Sequence, residues 1–172
     1  MRIHVQSLPF NQDFSTEFQV PAEVLAVETT KHGEAEIHFS EPTDCKATLR
    51  KMTGDEVLLQ LSADTIIEPI CDRCTEAYQL PVHMEATLLC RPLTHKPTVE
   101  EEEDEGLVFF TKQELHLDRI VREQILLTLP IQFVCTENCK GLCTGCGENL
   151  NLEPSTHSCN KAAFFECKAK VL

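Results

Sequence analysis

Apolar and polar positions alternate through much of the first ninety residues. Ile3 and Val5 are separated by polar neighbours, as are Ile37 and Phe39, and then Cys45, Ala47 and Leu49. A period of two marks strands with one buried face. Thr53-Gly54-Asp55 interrupts the pattern between Cys45–Met52 and Val57–Leu61, which predicts a hairpin. Tyr78 to Cys90 reads as a further extended stretch, with Pro81 placing an edge or a strand start there. The period changes after residue 117. Ile120, Val121, Ile125 and Leu126 follow helical spacing until Pro130, and Asp118 stands where an N-cap is expected, so a core helix is predicted at about 118–128. The expected architecture is α+β: a mainly antiparallel, barrel-like β body over 1–134 with one main helix. A cysteine-rich C-terminal segment, 135–172, is expected to pack on it.

Pro92, Pro97 and the run Glu100–Glu105 identify residues 92–106 as a linker-like acidic loop, because such a charge run buries no apolar surface. Net charge is −13 over 172 residues. That balance argues against a broad surface for naked nucleic acid, whose binding rests on Lys and Arg, and fits a basic protein partner better. No stretch approaches the run of about 20 apolar residues that a membrane-spanning helix needs. Met1–Phe10 lacks the continuous apolar run of a secretory signal, so a soluble protein of the reducing cytoplasm is expected.

In that compartment ten cysteines read as metal ligands before they read as disulfides. Cys71-Asp-Arg-Cys74 and Cys143-Thr-Gly-Cys146-Gly have the spacing that lets two sulfurs reach one tetrahedral ion, and the glycine after Cys146 suits a zinc knuckle. Cys135 and Cys139 precede the second pair, and His157 and Cys159 follow it. These eight side chains complete two four-coordinate zinc sites. The preferred pairing joins Cys71, Cys74, Cys135 and Cys139 around one ion, and Cys143, Cys146, His157 and Cys159 around another. The first site closes a loop of about 60 residues, where a clip removes most chain entropy. A second pairing gathers Cys139, Cys143, Cys146 and Cys159 instead. Cys45 and Cys90 sit in strand patterns and read as core, and Cys167 as core or a lone thiol. The histidines other than His157 read as structural or exposed.

Catalytic readings are weaker. A redox dithiol needs a low-pKa thiol at a helix N-terminus in a βαβ unit, and Cys71/Cys74 follow a β-like run instead. His83-Met-Glu85 matches the His-x-Glu of zinc deaminases only superficially, since no Pro-Cys-x-x-Cys follows it. Ions ringed by protein ligands leave no open position for water, so no enzymatic role is expected.

Glu123-Gln-Ile-Leu-Leu-Thr-Leu-Pro130, then Cys135-Thr-Glu-Asn-Cys139-Lys-Gly-Leu-Cys143-Thr-Gly-Cys146-Gly-Glu-Asn-Leu-Asn151, resembles the YceD family of large-subunit ribosomal RNA accumulation proteins. Cys71-Asp-Arg-Cys74 matches that family's first Cys-x-Arg-Cys, and the acidic loop lies where its members carry one. The resemblance covers about 70–160. It departs where the family commonly has Cys-x-Cys and this chain has His157-Ser-Cys159, a change that zinc tolerates. What it implies is a role in making or retaining large-subunit ribosomal RNA, hence ribosome biogenesis. Joined to the cysteine and charge readings, it gives the expectation of a cytoplasmic, non-enzymatic factor with one or two structural zinc ions, acting on a ribosomal protein or a large-subunit ribosomal RNA precursor. Lys140, Lys161, Lys168 and Lys170 are candidates for a local RNA contact. The competing classes are a thiol-disulfide or metal-transfer protein using Cys71/Cys74, and a nucleic-acid-binding zinc ribbon.

Overall fold

The computed structural model of the chain describes residues 1–26, 37, 39–94, 97–98 and 106–152. His157, Cys159, Cys167 and the acidic run Glu100–Glu105 lie outside them. The chain divides into two compact units, Met1–Ile67 with Leu80–Leu129, and Glu68–Gln79 with Pro130–Leu172.

The first unit is built on a five-stranded sheet. Its strands are β2 (Asp13–Val20), β3 (Thr43–Lys51), β4 (Val57–Ile67), β5 (Leu80–Pro92) and β6 (Leu107–Phe110), hydrogen-bonded in that order. The first four pair antiparallel, and β6 adds in parallel along Leu89–Pro92. A separate two-stranded ribbon pairs β1 (Arg2–His4) with β7 (Glu114–His116). The sheet is open: β2 and β6 stand at opposite ends of the order and do not pair, so the barrel-like closure expected from the alternating strands is not formed. Closure needs every strand to be tilted and sheared in a common register. Here β6 is short and meets only the last residues of β5.

Alternation in β3 and β4 fixes the buried face. Cys45, Ala47 and Leu49 of β3 face inward with Val57, Leu59, Leu61 and Ala63 of β4. The hairpin between them turns at Thr53–Asp55, where Gly54 takes φ 76 and the Met52 amide donates to the Glu56 carbonyl at 2.7 Å. On β5, Val82, Met84, Leu88 and Cys90 extend the same layer. Pro81 sits near the strand start opposite Ile66, before β6 begins to pair, so no neighbour on that side lacks a donor. Cys45 and Cys90 are core thiols, and burial pushes each up to about 12.

One main helix, α2 (Leu117–Thr128), packs against β1, β4 and β5 through Leu117, Ile120, Val121 and Ile125, and a single turn, α1 (Ala22–Leu25), packs against α2. Asp118 is not its N-cap. β7 runs directly into the helix, His116 holds the cap position, and the Leu117 amide is satisfied by the Met1 carbonyl at 3.1 Å. Asp118 instead lies in the first turn, 3.5 Å from the Met1 amine, where a carboxylate suits the positive helix end.

The outward face of the sheet is polar. Asp13 accepts two hydrogen bonds from Arg50 at 2.6 and 2.7 Å, and Lys46 reaches Glu17 at 3.0 Å. These pairs are exposed and add little stability. Among the described residues, no helix is long and apolar enough to cross a membrane.

Candidate metal centre

Between β4 and β5 the connection Glu68–Gln79 folds as a tight hairpin of its own. Ile70 bridges to Ala77, the Cys71 amide donates to the Glu76 carbonyl at 2.9 Å, and the Thr75 amide donates back to the Cys71 carbonyl at 2.9 Å. This closure turns Cys71 and Cys74 to the same side. It requires a left-handed residue at Thr75, φ 60, an unusual position for a β-branched side chain that costs on the order of 1 kcal/mol. The Thr75 hydroxyl offsets part of it by donating to the Cys74 carbonyl at 2.7 Å.

The other two sulfurs arrive on the irregular run after α2. Asp72, between the two cysteines of the hairpin, holds that run in register. Its carboxylate accepts the Phe133 amide at 2.7 Å, and its own amide donates to the Phe133 carbonyl at 2.8 Å. Two residues later the Cys135 amide points at Cys71 Sγ, 3.4 Å away. A turn closed by the Cys139 amide on the Thr136 carbonyl, 3.0 Å, brings the fourth cysteine round.

The result is a cluster in which the sulfurs of Cys71, Cys74, Cys135 and Cys139 all lie within 4.8 Å of one another. Cys71 Sγ stands 3.8 Å from Cys139 Sγ, and Cys74 Sγ stands 3.7 Å from Cys135 Sγ. A tetrahedron with zinc–sulfur bonds of about 2.3 Å has edges of about 3.8 Å. Two of the six sulfur–sulfur distances match that edge and the rest stay within 4.8 Å, so the four can hold one ion, and all four are thiols rather than disulfides.

Their proton affinities are split. Burial alone would raise the Cys71 thiol, but amide hydrogen bonds from Cys135, Cys74 and Arg73 outweigh it and bring it down to about 6. Cys139 is also held below the ordinary thiol range: burial opposes this, but the Asn151 amide side chain and the Gly141 amide win. Cys74 gains an amide bond from Glu76, yet burial and the three neighbouring sulfurs push it up to about 12. Cys135 is raised as well, by burial and then by Cys139 and Cys71. Four adjacent thiolates repel one another, so without a cation the cluster ionises only in part. A divalent ion is what lets all four be thiolates together.

The segment after Cys139 braces the cluster from outside. The Leu142 amide donates to the Arg73 carbonyl at 2.9 Å, and Arg73 Nη1 donates to the Cys139 carbonyl at 3.4 Å. Gly141 makes this approach possible: it takes φ +70, and a Cβ there would stand 2.9 Å from the Arg73 carbonyl oxygen. Gly141→Ala is therefore expected to lower stability of this unit by about 1–3 kcal/mol, through left-handed strain and displacement of the Arg73 backbone. A fall in the thermal midpoint checks it.

Among the residues singled out by spacing, the structure brings Cys71, Cys74, Cys135 and Cys139 together, the first of the two sites in the preferred pairing. Cys143 and Cys146 lie apart from that cluster on a hairpin of their own, and His157 and Cys159 are outside the described residues. His83 and Glu85 are on the solvent face of the sheet, His83 bonded to Asp64 at 2.6 Å and to Glu85 at 3.4 Å, which keeps its imidazole above the usual range and makes the pair an ordinary surface contact. Spacing did not reveal Asp72 and Asn151, whose side chains hold the cluster in place. An acidic residue inside Cys-x-x-Cys and an Asn pair after Cys-x-x-Cys-Gly were the available signals.

Residues 59–168 match the family described as large ribosomal RNA subunit accumulation protein YceD. The chain is 30% identical over 125 residues to "Large ribosomal RNA subunit accumulation protein YCED homolog 1, chloroplastic" of Zea mays. That alignment covers 55% of this chain and 40% of the maize protein, so the chain spans well under half the length of that relative. No solved structure matches it. The matched span contains all four clustered cysteines and the hairpins that carry them, and the chain belongs to the YceD family of large ribosomal RNA subunit accumulation proteins.

Proposed function

We propose that this protein is a non-enzymatic factor in large-subunit ribosome biogenesis, and that a structural zinc ion held by Cys71, Cys74, Cys135 and Cys139 maintains the surface it works through. The observation that carries the zinc reading is what fills the smaller unit. Its buried side chains among the described residues are the sulfurs of Cys71, Cys74 and Cys139 with Pro69 and Phe133, and no aliphatic cluster accompanies them. Described residues with so little apolar burial need a staple, and four converged thiols supply one when metal binds.

The donor set speaks for structure rather than chemistry. Four thiolates fill a tetrahedral ion and leave no position for water or substrate. Thiol exchange and metal transfer fit less well, since Cys71 is fully buried and Cys74 is 2% exposed, out of reach of a partner's disulfide. The role in ribosomal RNA accumulation comes from the family. The choice of a basic ribosomal protein over bare RNA rests on charge: on the solvent face of the sheet Asp13, Glu17, Asp44, Asp64 and Glu85 outnumber Lys46, Arg50 and Arg91. Depleting the protein in its own cells should lower large-subunit ribosomal RNA relative to small-subunit RNA, with precursor particles visible in sucrose gradients. Unchanged subunit profiles would count against the assignment.

A further inference from the structure

The backbone of Leu142–Asn149 repeats that of Ile70–Ala77 position by position. Leu142 bridges to Asn149 as Ile70 bridges to Ala77. The Cys143 amide donates to the Glu148 carbonyl at 2.8 Å, as Cys71 does to Glu76 at 2.9 Å. The Gly147 amide donates to the Cys143 carbonyl at 2.8 Å, as Thr75 does to Cys71 at 2.9 Å. Gly147 takes φ +79 where Thr75 takes φ 60. The third residue of each motif aims its amide at the first sulfur, Arg73 at Cys71 and Gly145 at Cys143 Sγ, the latter at 3.4 Å.

A turn alone does not demand this combination. Asn-Gly or Asp-Gly turns close such a hairpin without sulfur. Cysteines at its second and fifth positions, with a backbone amide directed at the first, are what a thiolate pair on a metal requires. In the first hairpin the same backbone delivers two of four converged sulfurs. We infer that Cys143 and Cys146 are the ligand pair of a second site for a thiophilic divalent ion, zinc in the cell. This rests on the reading that the first hairpin holds metal. Both sulfurs are half-buried, whereas Cys71 and Cys74 are buried, so this second ion exchanges more readily. The sequence offers His157 and Cys159 as its remaining ligands, a choice the described residues do not address.

The second hairpin also reaches the first. Asn149 donates to Glu76 at 3.3 Å, and Asn151, whose side-chain Oδ1 accepts the Lys140 amide at 2.8 Å, donates through Nδ2 to Cys139 Sγ at 3.4 Å. An ion that orders Cys143–Cys146 therefore holds in place the chain that carries a donor to the first cluster.

The test is zinc per chain by elemental analysis, using untagged full-length protein from zinc-supplemented cells. About two ions per chain are expected in the unaltered protein and about one in C143S/C146S, with the remaining ion lost from C71S/C74S. The lost ion should be the one that a mild chelator removes first. A single ion in the unaltered protein, kept in C143S/C146S and lost in C71S/C74S, overturns the second site and leaves the first. A single ion lost in C143S/C146S and kept in C71S/C74S overturns the first-site reading, and no zinc at all overturns both. Should C143S/C146S fail to fold, the stoichiometry of the unaltered protein and its one-step or two-step release to chelator still decide.

Discussion

Chelating the zinc ion proposed for Cys71, Cys74, Cys135 and Cys139 is expected to unfold Glu68–Gln79 and 130–152 while leaving the five-stranded sheet folded. Among its described residues the smaller unit buries only the side chains of Pro69 and Phe133 besides the sulfurs, with Tyr78 and Val134 partly covered. Structural zinc in comparable thiolate sites is worth on the order of 10 kcal/mol of apparent binding free energy, far more than such a core supplies. The larger unit keeps its own core, including Leu49, Leu59 and Ile67 of the sheet and Ile125 of α2, each fully buried and none a metal ligand. Amide resonances should separate the two behaviours: those of residues 68–79 and 130–152 collapse toward random-coil positions, and those of β3, β4 and β5 stay dispersed. C71S should reproduce the pattern without chelator. Acidification should do the same, because each ligand must be a thiolate and protons compete for the sulfurs as pH falls. Spectra indifferent to chelator would remove the metal from the account, and loss of the sheet resonances as well would show that the ion holds the whole chain.

How much of this was legible in sequence depended on whether a position carried its information locally. The β3–β4 hairpin was, since Cys45, Ala47 and Leu49 alternate and Gly54 supplies the left-handed turn. β2 was not. Of its eight residues only Val20 is buried, so an edge strand with both faces largely wet shows no clean alternation. β6 and β7 were missed because three- and four-residue strands owe their conformation to the partner beside them. The open sheet was invisible for the same reason: alternation tells which face is buried, not whether the end strands meet. The clustered cysteines were visible as ligand types, because Cys-x-x-Cys is a local spacing. Which sulfurs met was an open choice between two pairings, since it depends on Asp72 catching the Phe133 backbone, a contact between residues far apart in sequence. Asp118 shows the opposite error, a residue of good capping type displaced because a preceding strand already occupied the cap.

Leu59→Ala is expected to cost about 2–5 kcal/mol of the larger unit's stability, the range for deleting a fully buried leucine side chain. Leu59 is centred in the sheet, opposite Leu49 on β3 and Leu88 on β5, all three 2% exposed or less. Its neighbours are held by main-chain pairing on both sides, so they cannot slide in to fill the space, and the cost falls toward the upper end. Leu58→Ala one residue away should cost far less, since that side chain points to the wet face between Arg50 and Leu89. Urea titration of the two variants reads the difference as a lowered midpoint at unchanged slope. Because Leu59 touches none of the sulfurs' supporting hydrogen bonds, zinc content in Leu59→Ala should equal that of the unaltered protein at temperatures where the sheet remains folded. Equal destabilisation by the two substitutions would mean that the alternation along β4 does not define the core.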